Sequence, residues 1–279
     1  MLRGIHIQST APSRVKNQDY HPSCLEVASM VLSALLWRKN CGTIKLYTDN
    51  TLHTFLAMHE LTALWDDGIN TTTIEAIPSS VNQTVFWAAA KLFALHDAAA
   101  PVAMVDCDLF FWRDIKKDID SECLTVLHRE ELVECYVPQE QLGKPVSYHY
   151  NDCWDWTVCP CNTAFAYFPH NEFKKIYTEE AIRFMVGNAG RDAKPSSQMV
   201  FAEQRILAMC AKCNHVSIKT VIDNPYDDKN TLFTHLWVAK NRARKSEKDM
   251  KELVGAIMEK IKELDLDCYN KISEIYKIC

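Results

Sequence analysis

The chain has 279 residues, with 31 Lys and Arg against 36 Asp and Glu, a net charge of −5. That length builds a substantial core, and the acidic balance argues against nucleic acid, which asks for a basic field. No apolar run approaches the roughly 20 residues of a membrane span, and the seven glycines form neither G-x-G-x-x-G nor G-x-x-x-x-G-K-[ST], which excludes the glycine-built phosphate loops.

In chain order, "GIHIQS" (4–9) reads as a strand, and "SCLEVASMVLSALLWRK" (23–39) has the period of a helix. "TIKLYTD" (43–49) is a second strand, "LHTFLAMHELTALW" (52–65) a helix, and "TTTIEAI" (71–77) a β-rich run. An alanine-rich helix is expected over 83–99, then a short, wholly apolar strand over 101–106. Strands alternating with helices predict βαβ units and a mostly parallel sheet covered on both faces. Ligands of such sheets sit beyond the carboxyl ends of the strands. Ser9-Thr10, Thr48-Asp49 and Asp106-Cys107-Asp108 all stand at such ends.

The second half is less regular. Strands are expected over 122–128 and 161–168, with helices over 171–186 and 196–212. Residues 129–160, rich in Asp, Trp, Tyr, Pro and Cys, read as a long functional loop or lid. A turn is expected around Asn224-Pro225 before "FTHLWVAKNRARK". From Lys245 to Cys279, Met250, Leu253, Ile257, Ile261 and Leu264 recur as the apolar stripe of one amphipathic helix. The expected division is therefore a catalytic domain over 1–244 and a helical appendage over 245–279.

Met1-Leu2-Arg3 runs straight into the first strand, so the expectation is a cytoplasmic chain with no secretory signal and reduced thiols. Of the twelve cysteines, Cys159, Cys161, Cys210 and Cys213 form two close pairs that either join in a zinc site or are buried as small hydrophobes.

The stretch "PVAMVDCDLFFWRDI" places Asp106 and Asp108 between two apolar segments. Buried carboxylates are costly unless paired or bound to a metal. At the end of a buried strand, D-x-D is either a solvated turn or a pair of oxygen donors for Mn²⁺ or Mg²⁺, ions that bridge readily to a diphosphate. Other residues carry bland alternatives too. Asp49 fits a helix cap, Lys91 and Glu203 fit solvent faces, Asn162 fits a turn, and His235 fits a core hydrogen bond. Trp154 and Trp156 are either core anchors or a sugar platform.

Taken together, Lys91 on the helix before the strand, the D-x-D, then Asn162, Glu203-Gln204, His235 and Lys240 resemble the metal-dependent GT-A glycosyltransferases. The pattern is closest to the glycogenin and bacterial lipopolysaccharide galactosyltransferase group and its capsule-type relatives, over roughly residues 4–240. The resemblance implies a GT-A-like α/β fold with a Rossmann-like nucleotide-binding half. It implies Mn²⁺ or Mg²⁺ on Asp106, Asp108 and His235. It implies a nucleoside-diphosphate sugar donor, UDP-sugar favoured, contacted by Ser9, Thr10, Thr48, Asp49, Lys91, Asp106, Asn162 and Lys240.

Glu203-Gln204 then lie near the transferred sugar, and Asp152, Asp155 and Glu203 are the candidate bases. The group's H-x-x-G-x-x-K is here H-L-W-V-A-K, without the glycine and with the lysine one residue nearer, and Ala164 replaces the glycine of N-[AS]-G. The implied work is hexosyl transfer to a glycan or lipid-linked acceptor in bacterial surface polysaccharide synthesis. The basic run from Lys240 to Lys248 would favour an anionic acceptor or the inner face of an anionic membrane. Two rivals remain: a haloacid-dehalogenase-like phosphatase using Asp106, and a binding protein that keeps the fold without catalysis.

Overall fold

The computed structural model describes residues 1–15, 17–18, 20–190, 195–224 and 231–277. In chain order the elements are β1 (Leu2–Gln8), α1 (Ala11–Arg14), α2 (Cys24–Asn40), β2 (Gly42–Thr48), α3 (Asn50–Met58), β3 (Ile69–Asn70), α4 (Thr72–Glu75) and α5 (Ala89–Asp97). Then come β4 (Val102–Val105), β5 (Leu109–Phe111), β6 (Leu124–Val126), β7 (Phe165–Phe168), α6 (Asn171–Met185) and α7 (Pro195–Val200). A π-helical turn (Phe201–Arg205) joins α7 to α8 (Ile206–Cys213), followed by β8 (Ile218–Thr220), β9 (Phe233–His235), α9 (Trp237–Ala243), α10 (Glu247–Leu264) and α11 (Leu266–Tyr276).

Seven strands form the central sheet in the order β3-β2-β1-β4-β7-β6-β8, and β5 and β9 form a separate two-stranded ribbon. β3, β2, β1 and β4 are mutually parallel, as are β6 and β8, while β7 runs antiparallel to both of its neighbours. This is an α/β fold with a mostly parallel sheet between helical layers. Sheets covered on both faces need strands apolar on both faces, and β4 (VAMV) and β7 (FAYF) are buried at every position. Two buried clusters lie on the two sides, one built around α5, α6 and α8, the other around α2 and the ribbon.

Local chemistry sets the boundaries. Ser23 and Glu26 form a reciprocal capping box that starts α2. Trp37 of α2 lies flat against Gly4, where a Cβ would come within 2.6 Å of the indole. Close approach of helix and strand therefore requires glycine there. The β-rich run expected over 71–77 is instead a two-residue strand and a turn of helix. The Asn70 side chain accepts from the Thr73 amide at 3.0 Å and ends the strand. The helix expected from 83 starts at Ala89, because the Asn82 side chain holds the amides of Thr84 and Val85 in turns. The expected single tail helix is two, broken at Asp265, whose carboxylate caps α11 through the Cys268 amide. Ile257, Met258, Ile261, Cys268 and Ile272 of this tail are buried in the cluster around α2.

The segment expected as a lid is anchored rather than free. Tyr148 and Trp154 are buried, and Trp156 stacks on Phe201 with ring centres 5.5 Å apart. Trp154 and Trp156 are core anchors, not an open sugar platform. Of the two readings of the cysteine pairs, a zinc cluster does not form among the described residues. Cys213 is joined to Cys153 by a disulfide, their Cα atoms 5.7 Å apart and within bridging reach. Cys161 and Cys210 are buried as small hydrophobes, and burial pushes both thiols up to about 12. The same disulfide overturns the expectation that every thiol is free. The expected turn at Asn224-Pro225 lies partly outside the described residues, as does part of the stretch before α7. No helix among the described residues is long and apolar enough to cross a membrane.

Candidate metal and donor site

The parallel strands β1, β2 and β4 finish at one edge of the sheet, and their ends carry the polar residues. β4 finishes at Val105, and a tight turn follows in which the Leu109 amide donates to the Asp106 carbonyl at 3.0 Å. The Asp106 amide is itself held by the Ala164 carbonyl at 2.8 Å. The turn leads into β5, which pairs with β9 in the register Leu109 to His235. Strand pairing thus brings His235 to the two acids across 127 residues of sequence. The Leu236 amide donates to the Asp108 carbonyl at 3.1 Å and closes the junction.

Asp106, Asp108 and His235 each offer one ligand atom, all within 4.8 Å of one another. His235 Nε2 lies 4.0 Å from Asp106 Oδ2 and 3.7 Å from Asp108 Oδ1. Those gaps are too long for hydrogen bonds. An octahedral cation with bonds of about 2.1 Å spaces its ligands by about 3.0 Å (adjacent) to about 4.2 Å (opposite). The three atoms lie close enough together to share one divalent cation, and two carboxylates with one imidazole form a mixed oxygen and nitrogen donor set for it.

Two lysines complete the cluster. Lys91, on α5, sits 2.5 Å from Asp106 Oδ1 and 2.8 Å from Glu203 Oε1. Lys240, on α9, sits 2.8 Å from Asp108 Oδ2. Burial works against the Lys91 ammonium, but Asp106 and Glu203 outweigh it and hold its pKa above the ordinary value. Burial raises the Asp106 carboxyl above the usual range despite Lys91. Burial also pushes Asp108 up, yet Lys240 and His235 pull harder, and it ends below the usual range. Between them Cys107, its thiol pushed up to about 12 by burial, stays protonated.

Glu203 is buried in the π-helical turn, a distortion often found where a helix serves a site. Its carboxylate accepts from Thr163 Oγ1 at 2.7 Å, and its carbonyl from the Tyr177 hydroxyl at 2.6 Å. Gln204 points elsewhere, accepting from the Tyr136 hydroxyl at 2.5 Å. Asn162 orders the approach to β7, donating to Glu130 at 2.6 Å and accepting from the Ala164 amide at 3.1 Å.

Asp49 is saturated. It accepts from Ser9 Oγ, the Thr10 amide and hydroxyl, and the Leu52 amide, so it brackets the ends of β1 and β2 and caps α3. The Thr48 hydroxyl donates to the Gln8 carbonyl at 2.7 Å. These four residues build the strand-end edge, Ser9 and Thr10 bonding to Asp49 and Thr48 to the backbone of β1.

Asp155 pairs with Lys212 and with Thr157, which hold its carboxyl below the usual range. Lys212 lies nine residues beyond Glu203, about 13 Å along the continuous helix of the π-helical turn and α8, so this pair stands apart from the acid cluster. Asp152 is exposed on the same segment. The basic run after His235 offers less free charge than its sequence suggests. Lys240 turns inward, Arg242 pairs with Asp249, and Lys248 pairs with Glu252.

Sequence reasoning missed the support beneath the turn. Ser33 of α2 donates to the Leu109 carbonyl at 2.7 Å and meets His6 Nε2 at 3.0 Å. Trp65 Nε1 donates to His6 Nδ1 at 3.3 Å, which places the imidazole proton on Nε2. Burial drives the His6 pKa down to about 3, so the ring is neutral. No local pattern marks these residues, because they meet only through packing. Thr163 was missed as well, although it adjoins Asn162.

Residues 7–275 match the model of a family of unknown function, DUF6734. No curated protein matches the chain in sequence. Among solved structures, the PaToxG glycosyltransferase is 12% identical with a TM-score of 0.41, over 98% of this chain and 86% of its own. Mouse xyloside xylosyltransferase 1, in its apo form, is 10% identical with a TM-score of 0.35, over 74% of this chain and 83% of its own.

Proposed function

The chain belongs to the DUF6734 family, and we propose that it is a metal-dependent glycosyltransferase, moving a sugar from a nucleoside-diphosphate donor to a hydroxyl of a glycan or lipid-linked acceptor. The observation that carries this reading is the convergence of Asp106, Asp108 and His235 at the carboxyl end of β4, flanked by two lysines. Parallel α/β sheets bind ligands at that edge, and a diphosphate needs this mixture of cation-binding oxygens and positive side chains.

Asp106, Asp108 and His235 would hold Mn²⁺ or Mg²⁺. When bound, such an ion stabilises the negative charge that develops on a diphosphate leaving group. Lys91 and Lys240 place positive charge at the edges of the same cluster, and Glu203 fixes Lys91 in place. Trp237, two residues after His235, is 65% exposed, and Trp87, four before Lys91, is 50% exposed. Exposed indoles on the segments that carry Lys91 and His235 would offer flat apolar faces to a sugar ring. The donor's base and ribose, with UDP first among the candidates, would seat at the ends of β1 and β2, where the Asp49 oxygens are already taken by Ser9, Thr10 and Leu52.

The test is thermal unfolding with UDP, GDP, ADP or CMP, each with and without Mn²⁺, on the wild type and on Asp108→Asn. A ligand that binds only the folded state raises the melting temperature by mass action. One nucleotide should raise it only with Mn²⁺, and Asp108→Asn should abolish that rise. A wild type indifferent to every pair, or a variant that responds equally, refutes the proposal.

A further inference from the structure

The two carboxylates of the D-x-D divide their oxygens. Asp106 gives Oδ1 to Lys91 and turns Oδ2 toward His235. Asp108 gives Oδ2 to Lys240 and turns Oδ1 toward His235. Each acid thus has one oxygen in an ion pair and one in the candidate coordination sphere. The lysines come from separate elements on opposite sides of the turn, α5 and α9, so the arrangement does not follow from a single helix face.

Charge follows the same division. With Asp106, Asp108 and Glu203 all ionised in their ion pairs, three negative charges meet two positive ones on Lys91 and Lys240, leaving one net negative charge. A divalent cation arriving alone would make the cluster net positive at close range, beside two ammonium groups. A cation arriving with a diphosphate brings its own countercharge.

The lysines also differ in freedom. Lys91 is clamped between two acids, one of them the buried Glu203. Lys240 holds a single carboxylate, from a short helix, and its flexible stem lets the ammonium reach a second anion.

We propose that Lys91 and Lys240 stand in for part of the metal's charge, so that this site binds a divalent cation weakly by itself and tightly together with a diphosphate, Lys240 being the group that couples the two. The inference rests on the donor-site reading above and adds to it an order of loading. It makes Lys240 an antagonist of the free ion and a partner of the metal–diphosphate pair. A lysine that merely oriented Asp108 would favour the ion in both circumstances.

The experiment titrates the full chain with Mn²⁺, following the free aqua ion by its electron paramagnetic resonance signal. It is run with and without inorganic diphosphate, corrected for the metal that diphosphate binds in solution. The wild type should bind Mn²⁺ at least tenfold more tightly with diphosphate than without. Removing one positive charge a few ångströms from a divalent ion is worth about tenfold. Lys240→Met should therefore bind Mn²⁺ alone about tenfold more tightly than the wild type and gain less from diphosphate, while Lys240→Arg should behave as the wild type.

Lys240→Met binding Mn²⁺ alone equally or more weakly overturns the proposal. Should that variant fail to fold, the wild type decides, because Mn²⁺ binding as tightly without diphosphate as with it also overturns the proposal. A wild type that binds Mn²⁺ under neither condition overturns the donor-site reading itself, a different result from either of these.

Discussion

Replacing Ser33 with alanine removes the hydroxyl that ties α2 to the turn carrying both acids. Ser33 Oγ accepts from His6 Nε2–H and donates to the Leu109 carbonyl. All three groups are buried. The residue after β9 takes the neighbouring Asp108 carbonyl instead, through the Leu236 amide. The variant therefore strands one donor and one acceptor in the core. Each such group costs about 1–3 kcal/mol, giving about 2–6 kcal/mol in all.

Unfolding entropy of about 2.1 cal/mol/K per residue comes to about 0.6 kcal/mol/K for this length. The expected loss is about 3–10 °C in melting temperature, read by calorimetry or circular dichroism. The control lies one turn earlier on the same helix. Ser29 is equally buried, and its hydroxyl has no partner. Ser29→Ala should leave the melting temperature unchanged or raise it slightly. Should the two variants melt together, the bonds at Ser33 contribute nothing and the account of the turn's anchoring is wrong.

His6 adds a pH dependence of known sign. Its folded pKa of about 3 lies below the ordinary histidine value of about 6.5, so protons favour the unfolded state. Its contribution is complete above about pH 6.5 and is lost as pH falls toward 3, about 3 kcal/mol of it by pH 4 at 1.36 kcal/mol per unit. Urea unfolding of wild type and His6→Gln across pH 4–7 should show a flatter slope in the variant, and equal slopes would contradict the assignment. Lys174 is buried with its ammonium donating to the carbonyls of Leu95, His96 and Ala98, where it closes the end of α5, the helix that carries Lys91. Lys174→Met keeps the stem and drops the donors, and should cost about 3 kcal/mol, or about 5 °C. A melting temperature within 1 °C of wild type would show that α5 needs no such closure.

How much of this was legible depends on whether a feature is local. β4 reads directly from "PVAMV", since a strand covered on both faces must be apolar throughout, and the acids after it mark where the chain leaves the sheet. His235 was reachable only through the order of residues in a resemblance, because its place is fixed by pairing with Leu109. The partners of Lys91 were out of reach, since Asp106 and Glu203 come to it from different elements. The misread segments share a cause. Threonines at 71–73 favour strands, yet one Asn70 side-chain bond ends the strand first. The apolar stripe of the tail runs on past Asp265, but that residue starts a new helix by capping it. In each case one side-chain hydrogen bond outweighs the propensity of several neighbours.

The site itself shows the same contest between local cost and tertiary partners. Three carboxylates drawn out of water would be untenable without cations. A resident metal is one solution, and it ties the integrity of the turn to the ion. Here Lys91 and Lys240 supply positive charge from the chain itself, while Ser33, Thr163 and Tyr177 hold the backbone and side chains beneath it. The cluster is therefore complete as a fold element before any ligand arrives. Its remaining imbalance is one negative charge and three inward-facing ligand atoms. That suits a ligand carrying both signs, and a metal–diphosphate unit carries both.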